Sequence, residues 1–306
     1  QARVVEGDLF GSIGAGLAHT LASNYTVRLV NLGLTVAVAR MVGPAGMGIV
    51  AAALLAVEIV DTLRDFGLRH ALIYQPDPSP ASTNAAYGVI LTVASLQALG
   101  MLAVAGLASP PVLQAMLLWL APVFLLSALA APHEALLERA GHFLRRSLAE
   151  TAGVAVKAVI TLGLLWSGWG IESVAPGIVA GIATRSLVLW RLSDWQPSRA
   201  LPEGRHIAAL LGYGRHIIAV NIMGLCRFKV DQFAVAALLG PVALGSYFLA
   251  ARIPEMAIFG VNVAISTVAF PILARIVRQQ GPLADAYLTA MRGSLALMAP
   301  IAVGLM

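Results

Sequence analysis

Nine stretches of this chain are apolar over the length that crosses a lipid bilayer, at roughly 17–40, 47–63, 84–108, 112–132, 148–167, 171–190, 216–240, 243–273 and 286–306. A hydrocarbon core about 30 Å thick is spanned by about 20 apolar residues in helical form. The runs are continuous and lack the two-residue alternation of membrane strands, so the expected fold class is all-α, a polytopic transmembrane helix bundle. The second stretch is expected to continue as a polar-sided helix to about residue 75. Composition closes the soluble alternative: 11% of the 306 residues are charged and 59% are hydrophobic, whereas a water-facing domain carries about 25% charged residues. Pro122, Pro176, Pro254 and Pro271 fall within or near the stretches, where a kink is tolerated if neighbours satisfy the freed carbonyl.

The charges sort by loop. The short connections near 41–46, 109–111, 168–170 and 241–242 contain no Lys or Arg, with Arg40 at the edge of the first. The alternate connections carry Arg64 and Arg69; Arg139, Arg145 and Arg146; Arg191, Arg199 and Arg205; and Arg275 and Arg278. Basic loops stay in the cytoplasm, so the N-terminus is expected there too. This alternation accounts for the net charge of +5 and the isoelectric point near 9.8. No nucleic-acid partner is expected, because the cations are spread along the chain and no recognition motif accompanies them. Cys226 is the sole cysteine, which excludes an internal disulfide and a Cys-x-x-Cys metal or redox site. The first apolar stretch is too long for a signal-peptide core and no small-residue cleavage site follows it.

The chain also repeats itself. A shift of 197 residues carries Ala22 onto Ala219, Asn24 onto Asn221, Ala37-Val38-Ala39 onto Ala234-Val235-Ala236, Gly43-Pro44 onto Gly240-Pro241, Gly48 onto Gly245, Ala53 onto Ala250 and Glu58 onto Glu255. The offset covers six helices, an even number, so both copies enter the membrane in the same direction. That predicts a parallel six-helix repeat, an architecture found among transporters. The expected division is a six-helix lobe over 1–206, with a basic cytoplasmic loop, and the first three helices of a second lobe over 207–306. A second lobe of six helices would run well past Met306, so the C-terminal lobe is expected to be truncated, as the product of trimming or fragmentation that also begins with Gln1.

Polar residues inside spans are the strongest clues to function. An ionised group at mid-helix costs about 2.5–3.5 kcal/mol on insertion scales and usually faces a bundle interior or a wet cavity. Asn24, Arg28, Asn31 and Thr35 are spaced by 4, 3 and 4 and form one stripe on the first helix. The stripe either faces a central cavity, with Arg28 toward an anionic head group, or glues the helix to a neighbour. The seventh span carries Arg227, Lys229, Asp231 and Gln232. Arg227 and Asp231 can pair at four residues' spacing, while Lys229 lies nearer the face of Asn221 and Gln232. Lys229 is a candidate cavity cation, and Asp231 a candidate for proton or sodium coupling. Arg252 and Glu255 lie three apart on the eighth span and Glu58 and Asp61 three apart on the second. Glu58 and Glu255 are coupling candidates or share an architectural role, being repeat-related. Lys157 stands mid-span on the fifth helix, whereas Arg185 and Arg292 lie near cytoplasmic ends and can snorkel.

Other signals are weak. His19, His70, His133, His142, His206 and His216 show no metal-ligand spacing. GSIGAG at 11–16 follows no strand and is no dinucleotide loop. No cofactor, metal or catalytic constellation is expected, and without a P-loop no ATP would bind this chain. The Gly-Ala richness of the spans reads as close helix packing.

Four stretches carry a family resemblance: RLVNLGLTVAVARMVGPAGMGIVAAA at 28–53, DFGLRHALIYQ at 65–75, HEALLERAGHFLRRSLAE at 133–150 and VDQFAVAALLGPVALGSYFLAARIPE at 230–255. In order and spacing they resemble the polysaccharide transporters, the Wzx-type oligosaccharide flippases of the multidrug/oligosaccharidyl-lipid/polysaccharide exporter superfamily. The fourth is similar to a family passage with Asp231, Gln232, Gly240, Gly245, Tyr247 and Ala250 in matching places. The resemblance implies two six-helix lobes about a cavity open alternately to each side, in the bacterial inner membrane. It implies an undecaprenyl-diphosphate-linked oligosaccharide as substrate, an O-unit, capsule or exopolysaccharide repeat. Its diphosphate would lie near Arg28 and Lys229, then Lys157 and Arg227. Membrane lipids, a polysaccharide polymerase and chain-length machinery are the implied partners. The family usually has twelve to fourteen spans. A multidrug exporter or a peptidoglycan lipid flippase of the same superfamily is the alternative, the former expected to show an acidic cavity. A membrane glycosyltransferase or polymerase would need catalytic groups on long outer loops, and these loops are a few residues each.

Overall fold

A computed structural model of the chain describes residues 2–62, 80–197, 219–252, 254–255 and 283–304. Among the described residues every regular element is a helix, and the protein is an all-α polytopic membrane bundle. The expected continuation of the second span to residue 75, the DFGLRHALIYQ stretch, Arg64, Arg69, Arg199, Arg205, Arg275 and Arg278 lie outside the described residues. The contacts divide the chain into two compact units, Gln1–Ser246 and Tyr247–Met306.

The first unit contains α1 (Ala2–Asp61), α2 (Pro80–Leu107), α3 (Pro111–Leu120), α4 (Pro122–Arg139), α5 (Phe143–Leu164) and α6 (Val174–Leu192). It also holds the part of α7 (Ala219–Arg252) up to Ser246. Among the described residues five stretches are long and apolar enough to cross a membrane: Ser23–Asp61, Thr83–Leu107, Pro111–Arg139, Leu144–Leu192 and Ala219–Arg252. Two of them, Ser23–Asp61 and Leu144–Leu192, take in two of the sequence's apolar runs each, and Ala219–Arg252 reaches from the seventh run into the start of the eighth. As a straight rod, the 39 residues of Ser23–Asp61 would reach about 58 Å, nearly twice the hydrocarbon thickness. The chain breaks instead at Gly43, with φ 71° and ψ 179°, a region essentially restricted to glycine. Pro44 then opens the second arm, where its missing N–H costs nothing and its fixed φ suits a first helical turn. At the repeat-related position in α7, Gly240 likewise has a positive φ, 80°, with Pro241 behind it. Leu144–Leu192 is interrupted by a π-helical turn at Leu165–Trp169 and a 3-10 turn at Gly170–Ser173.

Side-chain contacts fix the sense of the helices. Ser23 and Thr151 share a hydrogen bond at 3.1 Å, and Asn31 meets Lys157, so the first arm of α1 and α5 ascend together. Ser186 Oγ donates to the Leu126 carbonyl and Trp190 Nε1 to that of Leu129, both at 2.7 Å, so α4 and α6 are parallel. Gly153 opposes Gly181 and Thr161 opposes Gly177, so α5 and α6 are antiparallel. The connections without cations consequently gather at one end. A Cβ on Gly46 would stand 2.8 Å from Ile171, and Gly48 abuts Pro241. The basic ends gather at the other, where Arg145 Nη1 donates to the Leu192 carbonyl at 3.2 Å.

Small residues make these approaches possible, as the Gly-Ala content predicts. Ideal Cβ atoms on Gly153 and Gly181 would fall 2.8 and 2.7 Å from the opposite glycine's carbonyl oxygen. With lipid as apolar as the side chains, such backbone proximity is what drives helix association. In the second unit, α7 ends with Arg252 over the Phe248 ring at 4.0 Å and 3.2 Å from Glu255, the intrahelical pair that their spacing predicts. The helix α8 (Leu283–Gly304) also belongs to this unit.

Candidate functional site

Lys157 is held by two helices. Its main chain lies in the α5–α6 seam, with its Cβ 2.8 Å from where a Gly181 Cβ would sit and its carbonyl 3.1 Å from where one on Gly177 would. Only glycine leaves that room. The side chain then crosses to α1, where Nζ donates to Asn31 Oδ1 at 2.7 Å. Asn31 is itself oriented, because its Nδ2 donates to the Val27 carbonyl at 2.8 Å, turning the oxygen toward the ammonium. Thr35 Oγ1 donates to the Asn31 carbonyl at 2.8 Å. Two site residues predicted separately, 126 positions apart, are thus one unit.

The second arm of α1 makes a comparable arrangement with α7. Lys229 Nζ lies 2.8 Å from Glu58 Oε2, the lysine the more buried of the two. Lys157 stands eleven residues before Gly168, Asn31 twelve before Gly43, Lys229 eleven before Gly240 and Glu58 fifteen after Gly43. At about 1.5 Å per residue all four lie roughly 17–23 Å from the cation-free turns, near the middle of the bilayer. Each ammonium therefore sits at mid-depth beside an oxygen from a different arm of α1.

The other predicted residues are placed as follows. Arg28 is partly buried one turn before Asn31, and Asn24 is exposed a turn earlier. Arg227 lies with its guanidinium 5.0 Å from the Phe228 ring centre, and Asp231 is exposed on the same helix. Glu255 is engaged by Arg252. Among the described residues no three His, Cys, Asp or Glu side chains gather as metal ligands.

Sequence reasoning missed a charged network at the basic end. Arg185 is bound by Glu134 from α4 at 2.5 Å and by Glu150 from α5 at 2.6 Å, and Glu134 also holds Arg146 at 3.0 Å. Arg185 is not a snorkelling residue: its side chain is 18% exposed and its carboxylate partners come from two other helices. His133, the residue before Glu134 in α4, is fully buried against the Trp190 and Trp195 rings. Three of the four network residues lie in the 133–150 stretch. Matching acids to bases of equal depth on helices four to six would have found it.

The family described as polysaccharide biosynthesis protein matches residues 37–306. The succinoglycan biosynthesis transport protein ExoT of Rhizobium meliloti (strain 1021) is 23% identical over 274 residues, covering 87% of this chain and 55% of the relative. The lipopolysaccharide biosynthesis protein WzxC of Escherichia coli (strain K12) is 22% identical over 264 residues, covering 82% and 52%. The chain thus spans about half the length of the curated relatives it matches. No solved structure is significantly similar to it.

Proposed function

The chain belongs to the polysaccharide biosynthesis protein family, and from that premise we propose that it is the lipid-linked oligosaccharide flippase part of a transporter, not an enzyme. The substrate is an undecaprenyl-diphosphate-linked oligosaccharide, moved across the bacterial inner membrane by alternating access between a six-helix lobe over 1–206 and a second lobe beginning near 207. The N-terminus and the basic connections face the cytoplasm, following the distribution of arginines.

One observation carries the reading: two lysines from different helices stand at mid-membrane depth, each hydrogen-bonded or ion-paired across to α1. A diphosphate carried through hydrocarbon needs cations at that depth, since a bare anion there costs many kcal/mol. Lys157 and Lys229 are the central contacts, with Arg28 on α1 and Arg227 on α7 as further cations and Asn24 and Asn31 donating to sugar or phosphate oxygens. The prenyl tail remains in lipid. Coupling falls to Glu58, with Asp231 and Glu255 as further carboxylates. A diphosphate at Lys229 displaces Glu58 from its partner and leaves that carboxylate able to take up a proton or sodium ion.

The test is deletion of the gene in its host, with lipid-linked oligosaccharide measured by mass spectrometry beside surface polysaccharide. The expected result is accumulated lipid-linked repeat units and lost surface polymer, rescued by the gene but not by Arg28→Ala or Lys157→Met. Unchanged glycolipid together with heightened sensitivity to cationic drugs would overturn the substrate and favour the drug exporter.

A further inference from the structure

The 197-residue repeat has a counterpart in space. Gly48 and Gly245 are repeat-related, as are Pro44 and Pro241. A Cβ on Gly48 would overlap the Pro241 carbonyl oxygen, and a Cβ on Gly245 would overlap the Pro44 carbonyl oxygen. The Gly245 Cβ would also stand 2.6 Å from Gly48 N and 3.1 Å from its Cα. The contact is reciprocal, each glycine meeting the other repeat's proline, which is the signature of a local two-fold axis. That axis passes between Gly48 and Gly245, beside the two turns that Gly43 and Gly240 create.

This contact is backbone against backbone. The nearest atoms to both glycines are main-chain atoms of the other repeat, and the connections around them carry no Lys or Arg. Contacts of this kind rest on dispersion and weak Cα–H···O interactions. They close tightly, yet part without stripping a charge of its partner. Beneath them, roughly 15–20 Å deeper at about 1.5 Å per residue counted from Gly48, Pro241 and Pro44, stand Glu58 with Lys229 and Asn31 with Lys157. A seal on the axis thus separates the mid-membrane groups from the solution on the cation-free side.

We propose that the crossing of Gly48 with Pro241 and Gly245 with Pro44 is the closed gate on the cation-free side, and that these two glycines are what allow it to shut. A side chain at either position wedges the repeats apart and holds that side open. The inference takes from the proposed function only that a second, open state exists, and its test uses no substrate, so the gate and the glycan assignment can fail separately.

The experiment uses the full chain in sealed membrane vesicles of each orientation, with Cys226→Ser removing the native thiol and Thr35→Cys as reporter on the polar stripe. The probe is a charged, membrane-impermeant methanethiosulfonate. With the native glycines, labelling from the cation-free side is slow. Gly48→Val or Gly245→Val raises its rate several-fold from that side only, and the double variant adds little more, since both open one gate. Gly163→Val, at a glycine with open space around it, leaves the rate unchanged. Because a valine variant can fail to fold, the native-glycine chain is tested as well. Ala45→Cys with Val242→Cys, both exposed and adjacent to the crossing, should be joined by a short bifunctional thiol reagent, read as one piece after cleavage at a protease site engineered near residue 199. Folded valine variants labelled at the native rate, or an absent cross-link, would overturn the proposal.

Discussion

Replacing Arg185 by leucine tests the buried network in the first unit. Glu134 is 7% exposed and holds both Arg185 and Arg146, whereas Glu150 is 38% exposed. The two halves of the Arg185 contact are therefore unequal. The Glu150 half is screened and contributes about 0.2–1 kcal/mol. The Glu134 half is desolvated, and removing one partner of such a pair costs about 3–5 kcal/mol when the other charge is left uncompensated. Arg146, at 34% exposure and 3.0 Å, stays with Glu134 and offsets part of that cost. The expected loss for Arg185→Leu is thus about 2–3 kcal/mol, below the full figure for a broken buried pair. Unfolding of the purified protein in mixed micelles, followed by helical circular dichroism against added sodium dodecyl sulfate, reads the change. Arg185→Leu with Glu134→Leu should recover part of the loss, because an apolar pair leaves no buried charge behind. A loss below about 0.5 kcal/mol for the single variant, the level of an ordinary surface substitution, would refute the electrostatic argument. So would a double variant as damaged as the sum of its singles.

Three further outcomes follow from the packing. Gly181→Val, whose Cβ would meet the Gly153 carbonyl at 2.7 Å and Lys157 Cβ at 2.8 Å, should destabilise by about 1–3 kcal/mol through overpacking, seen in the same titration. Gly43→Ala places a side chain at φ 71°, ψ 179° and should cost about 1–3 kcal/mol by backbone strain alone, since open space surrounds the position; an unchanged midpoint would refute that strain. Asn31→Ala removes the acceptor of the Lys157 hydrogen bond and should cost about 0.6 kcal/mol, the average for polar contacts between membrane helices, while lowering glycolipid rescue in the host far more; equal, mild effects on both would assign the pair to packing only.

The sequence revealed what depends on order along the chain. Apolar runs and alternating arginines were enough to expect the helices, and the connections near 41–46, 168–170 and 241–242 do gather at one end, where Gly46 meets Ile171 and Gly48 meets Pro241. Gly43-Pro44 and Gly240-Pro241 stood out as a repeat, and both glycines adopt the positive φ that no other residue tolerates well. What could not be read was pairing between helices distant in sequence. Asn31 and Lys157 each looked like a polar intrusion on its own helix, and nothing local joins residues 126 positions apart. Arg185 was misplaced for the same reason: considered on one helix it reaches toward the membrane surface, but Glu134 and Glu150 from two other helices capture it first.

The Asn31–Lys157 bond also bears on how the chain is made. Synthesis runs at about 5–20 residues per second, so Lys157 is added roughly 6–25 s after Asn31. Through that interval the first helix holds its polar stripe in the membrane with the fifth helix still unmade. When Lys157 arrives its own entry into hydrocarbon is opposed by about 2.5–3.5 kcal/mol, and the waiting amide is the acceptor that meets it. Early insertion of the first helix therefore assists that of the fifth, so a lesion at Asn31 would surface during biogenesis as delayed integration of a segment more than a hundred residues downstream.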